Sequence, residues 1–141
     1  GRDSPEGGSR LTAMSSRTVS EPFAATRDGF VISEGAGVMI LEAWEVAEAR
    51  GATILAEVLG YGASMDAHHP TAPHPEGEGA ARAIGMALRV SGLYAEEVDL
   101  VSAHATATPA NDGAETLAIK RALGEVGSDR PPGSRRPPGS P

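Results

Sequence analysis

Three stretches of this chain read as helices, each ends at a glycine, and each comes after a run of β-prone residues. That repeated order constrains the fold to an α/β type with alternating strands and helices. Phe30-Val31-Ile32 and Val38-Met39-Ile40-Leu41 read as two short strands, or as one strand bent about Gly35 and Gly37. Ala43 to Arg50 reads as a helix, with Gly51 as its stop and Arg50 beside its negative end. Thr53 to Leu59 is a third strand that runs into the turn-rich Gly60-Tyr61-Gly62. From Gly79 to Val90, residues Ala80, Ala83, Ile84, Ala87 and Leu88 recur at helical spacing, so this helix buries one face and ends at Gly92. Val98 to Ala103 is a short buried strand. Asp112 and Glu115 have the spacing of a capping box, which predicts a last helix to Leu123 closed by Gly124.

A chain of 141 residues suffices for one domain or part of one. Only 4% of it is aromatic, so Ala, Val, Ile and Leu must fill the core and the elements must pack closely through small side chains. No apolar run approaches the roughly 20 residues that cross a bilayer, and no basic segment leads an apolar stretch at the start. A cytoplasmic protein without a membrane role is expected. The chain has no cysteine, which excludes disulfides, thiolate metal sites and thiol nucleophiles from it. Its net charge is −7, of which Arg130, Arg135, Arg136 and Asp129 in the tail contribute +2, leaving −9 for the body. A body so acidic does not make a nucleic-acid surface.

Residues 1–13 are expected to be a disordered N-terminal segment, residues 14–126 the folded part, and residues 127–141 a disordered tail rich in Pro, Gly and Arg. The tail repeats Arg-Pro-Pro-Gly-Ser at 130–134 and 136–140. Two readings stand for it: a linker, or GC-rich DNA translated out of frame. An uninterrupted native frame in the transcript across Glu125 would exclude the second.

Open α/β sheets place ligands beyond the carboxyl ends of their strands, which directs attention to the loops Gly60–Gly77 and His104–Asn111. His104 stands at the end of a predicted strand, followed by small residues and by Thr106 and Thr108. An imidazole there can aim an N–H at a ligand while the backbone approaches closely. The alternative is a histidine hydrogen-bonded at a strand end, with Thr108 and Asp112 merely capping. The residues alone leave both open.

Three blocks resemble those of the β-ketoacyl-acyl carrier protein synthases, condensing enzymes of the thiolase-like superfamily. Val101-Ser102-Ala103-His104-Ala105-Thr106-Ala107-Thr108-Pro109 is similar to the family's His-Gly-Thr-x-Thr signature. Arg27-Asp28-Gly29-Phe30 resembles its Arg-Asp-Gly-Phe block, and Asp66-Ala67-His68-His69-Pro70-Thr71 its Asp-Ala-x-His-x-Thr loop. The blocks come in the family's order and cover roughly Met14 to Glu125. The resemblance implies a partial thiolase-like fold with a mixed sheet, part of a larger double fold. It implies an acyltransferase that elongates fatty-acid or polyketide chains by decarboxylative Claisen condensation with a malonyl group on acyl carrier protein. It further implies that carrier as a partner, a homodimer in the intact parent, and no cofactor beyond the phosphopantetheine on which substrates travel.

By the same resemblance His104 is catalytic, one of two histidines that hold the thioester carbonyl of the malonyl substrate. Thr106 and Thr108 bind the phosphopantetheine arm and thioester. Glu115 belongs to a supporting network that orients a lysine, and Asp112 is a cap within that network. Asp66 and His69 belong to a loop gating the pocket. Ala105 replaces the family's usual glycine, which matters only if the backbone there needs a positive φ.

The family's nucleophilic cysteine lies upstream of the Arg-Asp-Gly-Phe block, and its second histidine, lysine and glycine-rich loop lie downstream of Glu125. This chain carries none of these, so on its own it is expected to be inactive. Two alternatives remain: a non-catalytic partner subunit of the chain-length type, and a truncated, inactive product. Zinc binding by His68, His69 and His74 is not expected among Pro70, Pro73 and Pro75 without suitably spaced carboxylates or thiolates. Trp44 with Glu42, Glu45 and Glu48 reads as an exposed helix face with one half-buried anchor. Gly35-Ala36-Gly37 lacks the third glycine and the helix start of a dinucleotide-binding turn.

Overall fold

The computed structural model describes residues 13–124. Apart from Ala13, the segments expected to be disordered at the two ends lie outside the described residues. Three α-helices follow one another: α1 (Trp44–Ala49), α2 (Glu78–Ser91) and α3 (Pro109–Leu123), with a single 3₁₀ turn at Ala95–Glu97 before α3. All three predicted helices are present. Gly51, at φ +68, follows α1, and Gly92, the cap of α2 at φ +70, takes the left-handed conformation that an L side chain resists. Gly92 N–H and Leu93 N–H both reach back to the Leu88 carbonyl, which satisfies an orphan acceptor at the end of α2. None of these helices is long and apolar enough to cross a membrane.

The start of α3 corrects the predicted boundary. Asp112 and Glu115 do not form a capping box. The helix opens four residues earlier, at Pro109, with Thr108 as its N-cap accepting the Asn111 N–H at 3.2 Å. Pro109 at N1 has no N–H to leave unsatisfied and a φ already suited to the helix. Asp112 therefore lies one turn inside, and the spacing that resembled a cap instead puts Asp112 and Glu115 on one helix face.

Helices α2 and α3 pack against each other. Small residues permit the approach: Ala114 and Ala118 of α3 are buried, and a Cβ at Gly77, just before α2, would collide with the Ala114 carbonyl and lie 2.9 Å from the Ala118 Cβ. Gly60 and Gly62 serve the same purpose on the other side of α2. A Cβ on Gly60 would fall 2.5 Å from the Ala87 carbonyl oxygen, and one on Gly62 would strike the Ala83 carbonyl. What the sequence presents as turn glycines are points where an extended segment lies against a helix backbone.

No ladder of the predicted mixed sheet is found among the described residues. They contain no strand ladder, and the single β-bridge is a parallel one between Met14 and Phe30, closed by Ser15 N–H to the Phe30 carbonyl (2.9 Å) and Phe30 N–H to the Ala13 carbonyl (2.8 Å). The runs at 38–41, 53–59 and 98–103 do not pair with one another. Their side chains are largely exposed, with Val38 at 94%, Leu55 at 93% and Leu100 at 83%, so the buried strand expected at 98–103 is not buried here. A β-prone run specifies only a capacity for pairing, whereas a ladder needs a neighbour in register.

Candidate functional site

The segment 104–108 is held from below by the first turns of α3. The Glu115 carboxylate spans two consecutive amides, accepting the His104 N–H at 2.6 Å through Oε1 and the Ala105 N–H at 2.9 Å through Oε2. One turn earlier on the same face, Asp112 Oδ1 accepts the Ala107 N–H at 3.1 Å. Asn111 steadies both acids, its amide nitrogen lying 3.3 Å from Glu115 Oε2 and 3.5 Å from Asp112 Oδ1. Hydrogen bonds to ionised acceptors are about twice as strong as neutral ones, so two carboxylates fix this short segment firmly.

The grip coincides with unusual backbone geometry. Ala105 (φ +50) and Ala107 (φ +62) both occupy the left-handed region, which costs a residue with a Cβ about 1–2 kcal/mol. Both are among the residues whose N–H groups the acids hold. The alanine that replaces the family's glycine thus sits where the backbone does need a positive φ.

His104 is exposed at the start of this segment, while Thr106 and Thr108 are half-buried with their hydroxyls 3.0 Å apart. Thr108 Oγ1 also takes the Asn111 N–H, so one hydroxyl both caps α3 and contacts the neighbouring threonine. The structure therefore gathers His104, Thr106, Thr108, Asp112 and Glu115 into one cluster. Asp112 is not the cap expected of it but a buried acceptor within α3. Its side chain is 1% exposed, and Oδ2 accepts the Phe23 N–H at 2.7 Å and lies 3.8 Å from Arg27 Nε.

That contact ties the Arg27-Asp28-Gly29-Phe30 block to the His104 segment across about eighty residues of chain, the span between Phe23 and Asp112 being 89. Arg27 donates to the Ala24 carbonyl at 2.9 Å and, at 3.4 Å, to the Pro109 carbonyl in the first turn of α3. Asp28 organises the other side of the block, accepting the Ser15 hydroxyl at 2.6 Å and Arg17 Nη2 at 3.2 Å. The Ser15 hydroxyl, ahead of Arg17, holds the Asp28 carboxyl below its usual range, and the Thr26 hydroxyl, ahead of Arg17, does the same for Glu21. Gly29 is required where it stands, since a Cβ there would lie 2.5 Å from the Met14 carbonyl carbon and the Ser15 nitrogen.

Asp66 and His69 stand apart from this cluster. They share no hydrogen bond with the 104–108 segment among the described residues. Asp66 Oδ2 accepts the His74 N–H at 2.8 Å, which folds the segment 66–74 back on itself, and Arg82 of α2 reaches the Met65 carbonyl at 3.0 Å. His69 Nδ1 accepts the Thr71 N–H at 3.1 Å, and His74 Nδ1 the Glu76 N–H at 3.2 Å. The rings of His68 and His74 meet edge to face with centroids 4.8 Å apart. Residues 65–73 line an open hollow of about 670 Å³ that includes Asp66 and His69 but not His104, Thr106 or Thr108.

Sequence reasoning missed the roles of Asn111, Phe23 and Arg27 in this network. The signal for Asn111 lay in the Asp112/Glu115 spacing, which marks a helix face as readily as a cap; Phe23 and Arg27 had no local signal.

The family described as "Beta-ketoacyl synthase, C-terminal domain" matches residues 55–135, and its N-terminal counterpart matches residues 3–47. A curated relative from a Synechocystis species, named 3-oxoacyl-[acyl-carrier-protein] synthase 2, is 57% identical over 105 residues, which cover 74% of this chain and 25% of that protein. A solved structure described as the ishigamide ketosynthase/chain length factor is 49% identical with a TM-score of 0.76, covering 82% of this chain and 28% of the other. Another is a type II PKS acyl-carrier protein in complex with its ketosynthase bound to the hexaketide. It is 44% identical with a TM-score of 0.77, covering 82% of this chain and 30% of the other. The chain spans about a quarter of the length of the curated relatives it matches. With a family match over more than half its residues and solved ketosynthases of the same fold, this chain belongs to the β-ketoacyl synthase family.

Proposed function

We propose that this segment comes from a cytoplasmic acyltransferase that lengthens acyl chains by decarboxylative Claisen condensation. In that reaction a malonyl group on the phosphopantetheine of acyl carrier protein loses carbon dioxide. The carbanion left behind attacks the carbonyl of an acyl thioester, a carbon–carbon bond forms, and the thiolate departs. Negative charge builds on the malonyl thioester oxygen as carbon dioxide leaves, and His104 donates its ring N–H to that oxygen. A fixed donor at such a position is worth about 10²–10³ in rate. Thr106 and Thr108 hydrogen-bond the phosphopantetheine arm, and Asp66 and His69 line the approach to the pocket. The protein partners are acyl carrier protein and a second copy of the intact enzyme, and no resident cofactor is needed.

The observation that carries this reading is the exposed imidazole of His104 on a backbone clamped by Glu115 and Asp112, beside two paired hydroxyls. Relatives named 3-oxoacyl-[acyl-carrier-protein] synthase and a ketosynthase solved with an acyl-carrier protein support the substrate and partner.

The test is decarboxylation of malonyl-acyl carrier protein by the full-length enzyme carrying this segment. His104→Ala is expected to lower its kcat by about 10²–10³ while leaving carrier binding within a few-fold. An unchanged kcat would sink the assignment. The 141-residue chain alone, having no cysteine to accept the acyl group, is expected to form no β-ketoacyl product in the same assay. A full-length protein that decarboxylates malonyl substrate but takes up no thioester-mimetic label would point instead to a chain-length-type partner subunit.

A further inference from the structure

We infer that His74 is an acid-sensitive latch, holding residues 66–73 against the start of α2 while its ring is neutral and releasing them when the ring is protonated. Three of the chain's four histidines, His68, His69 and His74, lie in this segment. In the Asp-Ala-x-His-x-Thr block His68 takes the variable position, and His74 falls beyond the block, so the arrangement belongs to this chain and not to the motif. His74 is half-buried and held at three atoms. Its N–H donates to Asp66 Oδ2 at 2.8 Å, its carbonyl accepts the Gly77 N–H at 2.8 Å, and its Nδ1 accepts the Glu76 N–H at 3.2 Å. A backbone N–H can only donate. Nδ1 must therefore carry its lone pair, which leaves the ring neutral with its proton on Nε2.

Protonation adds an N–H at Nδ1, so donor faces donor at Glu76 and that amide loses its acceptor. The rings of His68 and His74 meet edge to face with centroids 4.8 Å apart, and in acid, as two cations, they repel each other. Other charges face the turn from each side. Asp66 belongs to the segment, its Oδ1 filling the space that a Cβ on Gly79 of α2 would need, and Glu76 and Glu78 flank the junction. Arg82 of α2 reaches the Met65 carbonyl at 3.0 Å, and Arg121 of α3 lies 3.6 Å from Glu76 Oε2 and 3.9 Å from Glu78 Oε1. The carboxylates attract a charged ring and the arginines repel it, but neither returns an acceptor to the Glu76 N–H. That loss sets the sign: closure requires the unprotonated ring, so acid opens the latch. His69 makes a milder version of the same contact. Its Nδ1 accepts the Thr71 N–H at 3.1 Å, but the Thr71 hydroxyl, 3.4 Å from that nitrogen, can turn to accept from a protonated ring. Opening reshapes the hollow lined by residues 65–73. Its effect on access to the pocket rests on the function proposed above, whereas the latch does not.

Hydrogen exchange of the Glu76 amide tests the latch. In the 141-residue chain its protection, taken relative to an unstructured peptide at the same pH, is expected to fall on the order of tenfold from about pH 7.5 to about pH 5.5. Amides in the middle of α3 are expected to keep theirs and serve as the internal reference. His74→Asn is the control: the asparagine Oδ1 stands where Nδ1 stood and accepts at either pH, so protection in H74N is expected to vary by less than about twofold. Protection that does not fall in the parent, or that falls as far in H74N, would overturn the inference. In the full-length enzyme, KM for malonyl-acyl carrier protein is expected to rise toward acid pH more steeply in the parent than in H74N. If the Glu76 amide responds as expected but the two KM profiles coincide, the approach to the pocket does not run past Asp66 and His69. That part of the proposed function then fails while the latch stands.

Discussion

Asp112 joins two distant parts of this structure through one side chain. Its carboxylate is 1% exposed and receives the Phe23 and Ala107 amides, with the Arg27 guanidinium 3.8 Å away. Arg27 Nε is buried without a hydrogen-bond partner, so its contact with Asp112 is electrostatic only. Removing the acid strands two N–H groups and leaves a part-buried cation unpaired. Asp112→Ala is therefore expected to destabilise the chain by about 2–3 kcal/mol in urea unfolding, and Asp112→Asn, which keeps one acceptor, by distinctly less. Equal effects of the two would show that space filling, not the carboxylate, matters. None of this was visible in the residue itself. An acid three residues before another acid is consistent with a cap or with a helix face, and only the packing of residues 23–27 against α3 separates the two.

At the scale of elements, the expected helices are all present, whereas the expected strands form no ladder among the described residues. The termini of α2 were plain in the sequence because Gly92 and the apolar spacing act within the segment itself. The start of α3 was misplaced because two candidate caps, Thr108 and Asp112, lie one turn apart. Pro109 decides between them, since a proline fits the first helical position and its ring tolerates no helical residue before it. Thr108→Ala is expected to lower stability by about 1 kcal/mol and to speed exchange of the Asn111 amide, whereas Thr108→Ser leaves both nearly unchanged. An Asn111 amide as protected in the alanine variant as in the parent would remove the cap from the account.

For the whole molecule, the apolar surface left open is the dominant property. Val38, Met39, Ile40 and Leu41 are each at least 73% exposed, and Leu55, Val58 and Leu100 at least 75%. Extended runs of this kind present both unpaired backbone groups and apolar side chains, the two ingredients of edge-to-edge association. The isolated 141-residue chain is expected to bind an apolar dye and to self-associate as its concentration rises, as read by light scattering. A chain that remains monomeric at high concentration without dye binding would show that these runs are covered in solution. The acidic body opposes association, so raising the salt concentration is expected to favour it.

What the sequence determined by itself was whatever is satisfied locally: three helices, their glycine ends, the small-residue character of the packing, and a set of motifs specific enough to identify a family. The hydrogen bonds of a helix close within a few residues, so the pattern that forms it is written beside it. Tertiary structure alone decided which extended runs find partners, which carboxylate faces which amide, and which residues are driven to positive φ. Those outcomes depend on groups distant along the chain, as when Phe23 meets Asp112, and no local spacing encodes the meeting.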